Sequence, residues 1–363
     1  MTPKRGLVPV LAATLLATSC GGTAKRPHRF HPRMVVAWQW PAPPPAYVGM
    51  PAADDHGVAA TFGHHGLVLL TPTGVVRWQV DHDRLRDVAP ALGSDVVVAA
   101  TEGGVVAFDR ATGAERWAAP LGEERPTQPV LTPELAVVLT WEGHAVAFGR
   151  ADGKERWRRE LRGGAMAPPV TDGTRVIAVW QGGAAAGIDA LDLRSGATAW
   201  SQTLEPGGVG GPAIARSRGS SVVVVAAGDL RVHAFDTSDG GSRWVTDTAG
   251  GAGSPEVPPA AVGDDIVVAD RLTGLTRLAA ADGARRWTVP GPGAAVRGGP
   301  AVLAGGVVAL PVDEGGLLVT AGRRPPGLYA SEGRVSGLAR VGALLVVATR
   351  EAERNSITAL RLV

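Results

Sequence analysis

Residues 109–117 read DRATGAERW and decide the fold, because they place Gly113 four residues before Trp117. The same spacing of glycine and tryptophan occurs six times, and successive tryptophans of this series lie 39 to 44 residues apart. A period of about 40–50 residues is typical of repeat folds and here predicts a β-propeller. The six pairs are Gly74 and Trp78, Gly113 and Trp117, Gly153 and Trp157, Gly196 and Trp200, Gly240 and Trp244, and Gly283 and Trp287.

Each repeat has room for four short strands. In residues 128–157, short apolar runs alternate with turn residues, which is typical of antiparallel β-structure. Four strands per repeat make one propeller blade. The glycine lies in the turn between the third and fourth strands, where a positive φ is favoured. We expect the tryptophan on the fourth strand to wedge between neighbouring blades and to bury about 200 Å² there.

Prolines and aspartates mark the same frame. A proline lies 12 to 15 residues after each tryptophan of the series, just before an apolar run. We expect it to open the innermost strand of the next blade, where a missing N–H is tolerated. These prolines are Pro90, Pro129, Pro169, Pro212, Pro259 and Pro300. The aspartates eight residues before a tryptophan, which we expect to cap the turn, are Asp109, Asp192 and Asp236.

The number of blades follows from the series. Trp38 lies 40 residues before Trp78, and Tyr329 lies 42 residues after Trp287, so eight positions share one register. The chain ends after two apolar runs, at 344–348 and 357–362, which leaves its last blade short of a strand. The sequence therefore predicts an all-β, eight-bladed β-propeller of four-stranded antiparallel blades, closed by an N-terminal strand. Seven blades remain the alternative if residues 300–330 do not form a full blade.

The first 33 residues have the pattern of a targeting segment and a tether. Lys4 and Arg5 precede an apolar run at 7–16, which is too short to span a bilayer as a helix. The run leads into ATSC, which ends in Cys20, the single cysteine. We expect 1–19 to be a lipoprotein signal peptide, 20–33 a tether lipidated at Cys20, and 34–363 the propeller. Ordinary secretion with a free cysteine is the alternative.

Charge separates the tether from the body. Six of the 36 basic residues and none of the 34 acidic residues precede Met34, so the body carries 30 basic and 34 acidic residues. This balance gives no general basic surface for nucleic acid. A basic tether beside a lipid anchor suits an anionic membrane surface, and a plain solvated linker is an equal alternative.

The repeat resembles a known one. The unit AFDxxTGxxxW at 107–117, with similar copies at 190–200 and 234–244, resembles the pyrroloquinoline-quinone (PQQ)-like propeller repeat. The resemblance covers 34–363, and WD-type repeats fit less well. It implies either the BamB-like lipoprotein branch, which is not enzymatic, or the eight-bladed quinoprotein dehydrogenases. The dehydrogenases would imply PQQ, Ca²⁺, a catalytic aspartate and often a vicinal disulfide, which one cysteine cannot form.

No catalytic or metal-binding pattern stands out. The chain has no Gly-x-Ser-x-Gly elbow, zinc signature or P-loop. We interpret the acidic spots at 54–55 and 263–265 as solvated turns, and His64 and His65 as turn residues, because neighbours on a strand point to opposite faces. We expect no cofactor, no metal and no catalysis. A PQQ-dependent dehydrogenase and a small-ligand sensor remain the alternatives.

Three aromatic residues outside the tryptophan series are candidates for a partner face. Phe62, Trp141 and Trp180 are expected at the turn between the second and third strands of their blades, and interface hot spots favour tryptophan. The alternative is that these rings cover neighbouring loops, which their burial would reveal. The sequence thus favours a monomeric, lipid-anchored, extracytoplasmic scaffold that binds an envelope protein.

Overall fold

The computed structural model describes most of the chain from Arg33 onward. The described residues are 33–43, 47–63, 66–82, 84–165, 167–205, 210–217, 219–247, 257–270, 274–290, 299–312, 316–320, 327–330, 333–350 and 355–363. Residues 1–32, with Cys20 and the signal-peptide and tether predictions, lie outside this set, and so do His64 and His65.

The strands of the described residues form eight four-stranded antiparallel sheets, named here blades I to VIII. Blade I contains β2 (Ala52–Asp54), β3 (Gly57–Phe62), β4 (Gly66–Leu70) and β5 (Val76–Asp81). Blade II contains β6 (Ala91–Leu92), β7 (Val96–Thr101), β8 (Gly104–Asp109) and β9 (Glu115–Pro120). Blade III contains β10 (Val130–Leu131), β11 (Leu135–Leu139), β12 (His144–Gly149) and β13 (Glu155–Glu160). Blade IV contains β14 (Val170–Thr171), β15 (Arg175–Gly182), β16 (Ala185–Asp192) and β17 (Thr198–Leu204).

The second half of the ring repeats this plan. Blade V contains β18 (Ala213–Ser217), β19 (Ser220–Ala226), β20 (Arg231–Asp236) and β21 (Ser242–Asp247). Blade VI contains β22 (Ala260–Val262), β23 (Asp265–Asp270), β24 (Gly274–Ala279) and β25 (Arg285–Pro290). Blade VII contains β26 (Ala301–Val302), β27 (Val308–Val312), β28 (Gly316–Thr320) and β29 (Gly327–Ala330), with a 3₁₀ turn at Ala304–Gly306. Blade VIII contains β30 (Arg334–Val341), β31 (Leu344–Arg350), β32 (Ser356–Leu362) and β1 (Met34–Pro41).

Blade VIII closes the ring in the predicted way. Strand β1 pairs with β32, so that Met34 lies opposite Leu362 and Trp38 opposite Ala359. Strands β26 to β29, which lie within 300–330, form a complete four-stranded blade, in which Tyr329 pairs with Leu317. The eight-bladed prediction is therefore confirmed, and the seven-bladed alternative is wrong.

The first strand of each blade is the innermost. First strands of successive blades contact one another around the ring, for example β2 with β6 and β18 with β22. Each predicted proline stands directly before its first strand, as Pro129 does before β10. A proline is tolerated there because the edge of a sheet needs fewer N–H donors.

The core lies between blades rather than inside any one of them. One apolar cluster, for example, joins Leu69 and Trp78 of blade I to Val97 and Phe108 of blade II. Second and third strands are covered on both sides, so β3 and β4 are buried at every residue. The fourth strands form the rim and alternate in burial, as in β9. This explains why the middle strands read as continuous apolar runs.

Five tryptophans of the series, from Trp78 to Trp244, pack against the glycine of the following blade. Trp78 Nε1 donates a hydrogen bond of 2.9 Å to the Arg110 carbonyl. A Cβ on Gly113, whose φ is +76°, would lie 2.8 Å from the Trp78 ring. Trp38, on the closing strand, makes the same contacts with Pro72 and Gly74. The glycine thus serves two needs, a positive φ and space for the preceding blade's ring.

Candidate functional site

The propeller has two loop faces. The upper face carries the turns between second and third strands and the loops that join blades, and the lower face carries the other two sets of turns. The aromatic candidates belong to the upper face, but the structure treats them differently.

Phe62 and Trp180 are packing residues at the tops of their strands. Phe62 is 6% exposed and Trp180 is 2% exposed, and both lie on second strands rather than in the turn that we expected. Each ring lies over a glycine directly opposite on the third strand, Gly66 and Gly187 respectively. Phe62 also meets Trp40 of blade VIII at 5.7 Å between ring centroids. These two rings fill space that the glycines leave empty and present no surface to a partner.

Trp141 is different because it lies one position later in its blade than Phe62 and Trp180 do in theirs. This position is in the turn between the second and third strands. Its exposed fraction is 38%. The guanidinium of Arg125 lies 4.6 Å from the centroid of the Trp141 ring, and that of Arg86 lies 5.4 Å from it. Cation–π contacts of this kind contribute about 0.5–1 kcal/mol each at exposed sites.

Each of these arginines is also paired with a carboxylate. Arg86 Nη1 lies 3.1 Å from Glu102 Oε1, and Arg125 Nε lies 3.0 Å from Glu142 Oε1. Burial by itself would raise the pKa of Glu142, but hydrogen bonds from the backbone and side chain of Arg125 lower it below its usual value. All five side chains therefore form one charged group around an indole, named here the Trp141 cluster.

The cluster continues towards blade IV. The guanidinium of Arg162 lies 4.7 Å from the centroid of the Trp180 ring, and it pairs with Asp189 at 2.9 Å. Trp180 Nε1 is buried and has no hydrogen-bond partner within the described part of the chain. The upper face of blades II to IV thus carries three arginines stacked on two tryptophans. Of these two rings, Trp141 is open to solvent and Trp180 is buried.

Two acidic residues differ from the prediction of solvated turns. Asp54 does not stand in a solvated turn, because the buried side chain of Arg110 binds both of its carboxylate oxygens at 2.6 Å. Burial raises the pKa of Asp54, but the hydrogen bonds from Arg110 outweigh this and hold the pKa below its ordinary value. Asp265 is likewise held by Arg277, at 2.7 Å. Asp55 and Asp264 are exposed.

The turn-capping aspartates behave as expected. Asp109 Oδ1 accepts hydrogen bonds from the backbone N–H and the hydroxyl of Thr112. Asp192 and Asp236 accept the same pair of bonds from Ser195 and Ser238. These carboxylates shape turns and are accounted for without a ligand.

The described residues hold no group of three or more histidines, cysteines, aspartates or glutamates placed to bind a metal ion. No described residue is therefore assigned to Ca²⁺. Among the same residues, no helix has the length and hydrophobicity that crossing a membrane would require.

Comparisons with known proteins agree with this architecture. The sequence profile of the family described as "Outer membrane protein assembly factor BamB" matches residues 38–132, 105–193 and 184–325. These matches span most of the chain. The protein belongs to this family. No curated protein matches the sequence closely enough to add a function.

Solved structures of similar fold include BamB from Moraxella catarrhalis, which is 16% identical with a TM-score of 0.72 over 91% of this chain and 98% of that one. The C-terminal WD40 domain of Sif2 is 11% identical, with a TM-score of 0.73 over 91% and 99%. The computationally designed Ika8 protein is 13% identical, with a TM-score of 0.68 over 86% and 96%. Identities this low show the fold alone.

Proposed function

We propose that this BamB-family propeller is a non-catalytic scaffold that binds an envelope protein through the Trp141 cluster. The observation that carries the proposal is the open indole of Trp141 between two arginines, on the same face as the buried rings of Phe62 and Trp180. Tryptophan and arginine are the residues most enriched at interface hot spots. The ion pairs hold the arginines in place before a partner arrives, which reduces the entropic cost of binding.

The proposed location is the extracytoplasmic side of a membrane, with Cys20 as the lipid anchor. The family is described by an outer membrane assembly factor, and the segment before the propeller has the n-region, apolar run and cysteine of a lipoprotein signal. A Cys20→Ser variant should lose incorporation of an alkyne-labelled fatty acid and leave the membrane fraction. Unchanged labelling of the variant would contradict the anchor.

The binding proposal is tested by crosslinking in intact cells. A photoreactive phenylalanine at position 141 should give a discrete adduct with one envelope protein, whereas the same residue at Val245, exposed on the rim of blade V, should give none. In a second experiment, the photoreactive residue is placed at another position of the upper face. Its adduct should disappear when Trp141 is also replaced by alanine. Equal adducts from 141 and 245 would contradict the proposal.

The stability of the Trp141→Ala variant is the necessary control. Because the ring is partly solvated and its stacking contacts are weak, we expect the free energy of unfolding to fall by less than about 1 kcal/mol. Loss of the adduct together with a much larger loss of stability would mean that Trp141 is structural.

The dehydrogenase alternative is tested separately. Calorimetric titration of the purified full-length protein with PQQ and Ca²⁺ should give no saturable heat. Saturable binding at micromolar or tighter affinity would contradict the non-catalytic proposal and would justify an assay for alcohol oxidation.

A further inference from the structure

The lower face has a cleft of about 750 Å³ between blades III and IV. Its walls are the first turn of blade III, with Glu134 and Leu135, and the last turn of blade IV, with Asp192, Leu193 and Arg194. Volumes of 300–1,000 Å³ are typical of ligand sites. The equivalent space is filled at the two preceding junctions, between blades I and II and between blades II and III. A comparison with them explains the cleft.

At the junction of blades I and II, an arginine fills this space. Arg110 is 4% exposed, binds both oxygens of Asp54 in the preceding blade and donates to the Gly93 carbonyl of its own blade. At the junction of blades II and III, Arg150 takes the same position. It reaches Asp95 and Ser94 of the preceding blade and the Thr132 carbonyl of its own.

At the junction of blades III and IV, leucine replaces this arginine. The three positions are equivalent, because the carbonyls of Arg110, Arg150 and Leu193 each accept the indole N–H of the preceding blade's tryptophan at 2.9 Å. Leu193 carries no guanidinium, so the side chain that tied two blades together is missing here.

A carboxylate is left behind by this replacement. Strand pairing places Glu134 at the position of Asp95, which accepts Arg116 at 2.7 Å as well as Arg150. Glu134 has neither partner, and it forms no ion pair or side-chain hydrogen bond with any described residue. Arg156, the counterpart of Arg116, turns instead to Asp152 at 2.8 Å. It does so because glycine, Gly149, stands where blade II has Asp109.

Asp192 and Arg156, two other charged residues of the lining, have partners within the chain. Ser195 lowers the pKa of Asp192 through hydrogen bonds, and the nearby charge of Arg194 lowers it further. Arg156 has Asp152. Of the two carboxylates in the lining, Glu134 is therefore the one without an ion-pair or hydrogen-bond partner among the described residues, and it lies next to the apolar side chains of Leu135 and Leu193.

We infer that the cleft between blades III and IV binds an arginine side chain of a partner polypeptide, with its guanidinium on Glu134 and its aliphatic stem over Leu193. The chain itself shows this chemistry twice, with Arg110 and Arg150 in the equivalent positions. Arginine fits better than lysine because both occupied junctions use several N–H donors of one planar group, to a carboxylate and to a carbonyl. The remaining volume accommodates the peptide on either side of the side chain.

The experiment measures binding of N-acetyl-arginine N-methylamide to the purified full-length protein by saturation-transfer NMR. The matched probe is the citrulline analogue, which has nearly the same shape and no charge. We expect saturable binding of the arginine probe with a dissociation constant of about 1 mM, and binding of the citrulline probe at least about tenfold weaker.

Three variants locate the site. Glu134→Gln, a nearly isosteric change at an exposed residue, should weaken binding of the arginine probe about tenfold. Leu193→Arg should abolish binding, because the new side chain takes the place of the probe. Leu193→Met, which keeps the cleft apolar and open, should bind within about twofold of the unchanged protein.

The inference is overturned if the two probes bind equally, if Glu134→Gln leaves the dissociation constant unchanged, or if no saturation is reached at about 50 mM probe. These outcomes are independent of the scaffold proposal, since the Trp141 cluster lies on the opposite face. A protein that fails the crosslinking test at position 141 can still bind the arginine probe, and the reverse also holds.

Discussion

The junction of blades I and II and the junction of blades III and IV share one contact and differ in another. At both, a tryptophan donates its indole N–H to a carbonyl of the next blade at 2.9 Å and lies against a glycine. At the first, the residue with that carbonyl is the buried Arg110, and at the other it is Leu193. The backbone contact is common to both junctions, whereas the side chain at the same position differs.

The energetics explain why this position varies. Burying an ion pair costs desolvation that its Coulomb attraction repays only in part, so an apolar replacement is often neutral. The positions equivalent to Arg110 elsewhere in the ring are Pro72, Thr237 and Ala280, which share no chemistry. A position that the fold does not constrain is available for binding.

The largest effect should come from the shared contact. Gly113→Ala places a Cβ 2.8 Å from the Trp78 ring at a φ of +76°, and we expect a loss of about 3 kcal/mol in the free energy of unfolding from strain and overpacking together. Gly196→Ala should cost the same at the other junction, since its Cβ would lie 2.7 Å from Trp157. Urea titration measures both.

The control for this prediction is Gly122→Ala in the loop that follows the same blade. Its φ is +73°, but a Cβ there would meet no atom within 4 Å. It should therefore show only the cost of a left-handed alanine, about 1–2 kcal/mol. An equal loss of stability in all three variants would contradict the claim that Gly113 and Gly196 are needed to make space for the tryptophan rings.

A smaller effect should separate the two junctions. Arg110→Met leaves Asp54 without its partner, and we expect a loss of about 2 kcal/mol, reduced from the cost in a fully buried pair because Asp54 is partly exposed. The double variant Arg110→Met with Asp54→Asn should recover most of this loss. Leu193→Met at the other junction should change stability by less than about 0.5 kcal/mol. A double variant as unstable as the single one would show that the pair is a net stabilising contact.

The smallest effect is a difference in pH dependence. Because the folded-state pKa of Asp54 is below its ordinary value, its contribution to stability is complete above the unfolded pKa, about pH 4, and is lost as the pH falls towards the folded pKa. The stability gap between the unchanged protein and Asp54→Asn should therefore be constant from neutral pH to about 5 and shrink below about 4. Urea titrations at several pH values measure it, and a gap that widens with acid would contradict the assignment.

The fold was largely predictable because each repeat of the sequence contains one large aromatic residue on the outermost strand of its blade. Trp38 and Tyr329 extended the count to eight, and the short C-terminal end indicated closure by β1. The pairing of Asp54 with Arg110 was not predictable, since it joins residues 56 positions apart in two blades.

The candidate face was only partly predictable. Phe62 and Trp180 looked like Trp141 in the sequence, and a shift of one residue along a strand decides whether a ring points inward or stands in the turn. A signal was present in Gly66 and Gly187, which leave room for a buried ring on the opposite strand. The cleft beside Leu193 depends on a side chain that is missing, so only a comparison among blades reveals it.

The pairing of β1 with β32 has a consequence for how the protein folds as it is synthesised. Seven residue pairs join the first strand to the last, from Met34 with Leu362 to Pro41 with Ser356. Contacts between residues so distant along the chain form slowly. As the polypeptide emerges from the ribosome or a translocon, the first strand must stay unpaired until the last has arrived. Met34 and Trp40, which are buried in the closed ring, are uncovered until then. Until then the nascent ring is an open arc, and its exposed edge is where a chaperone would protect it from other chains.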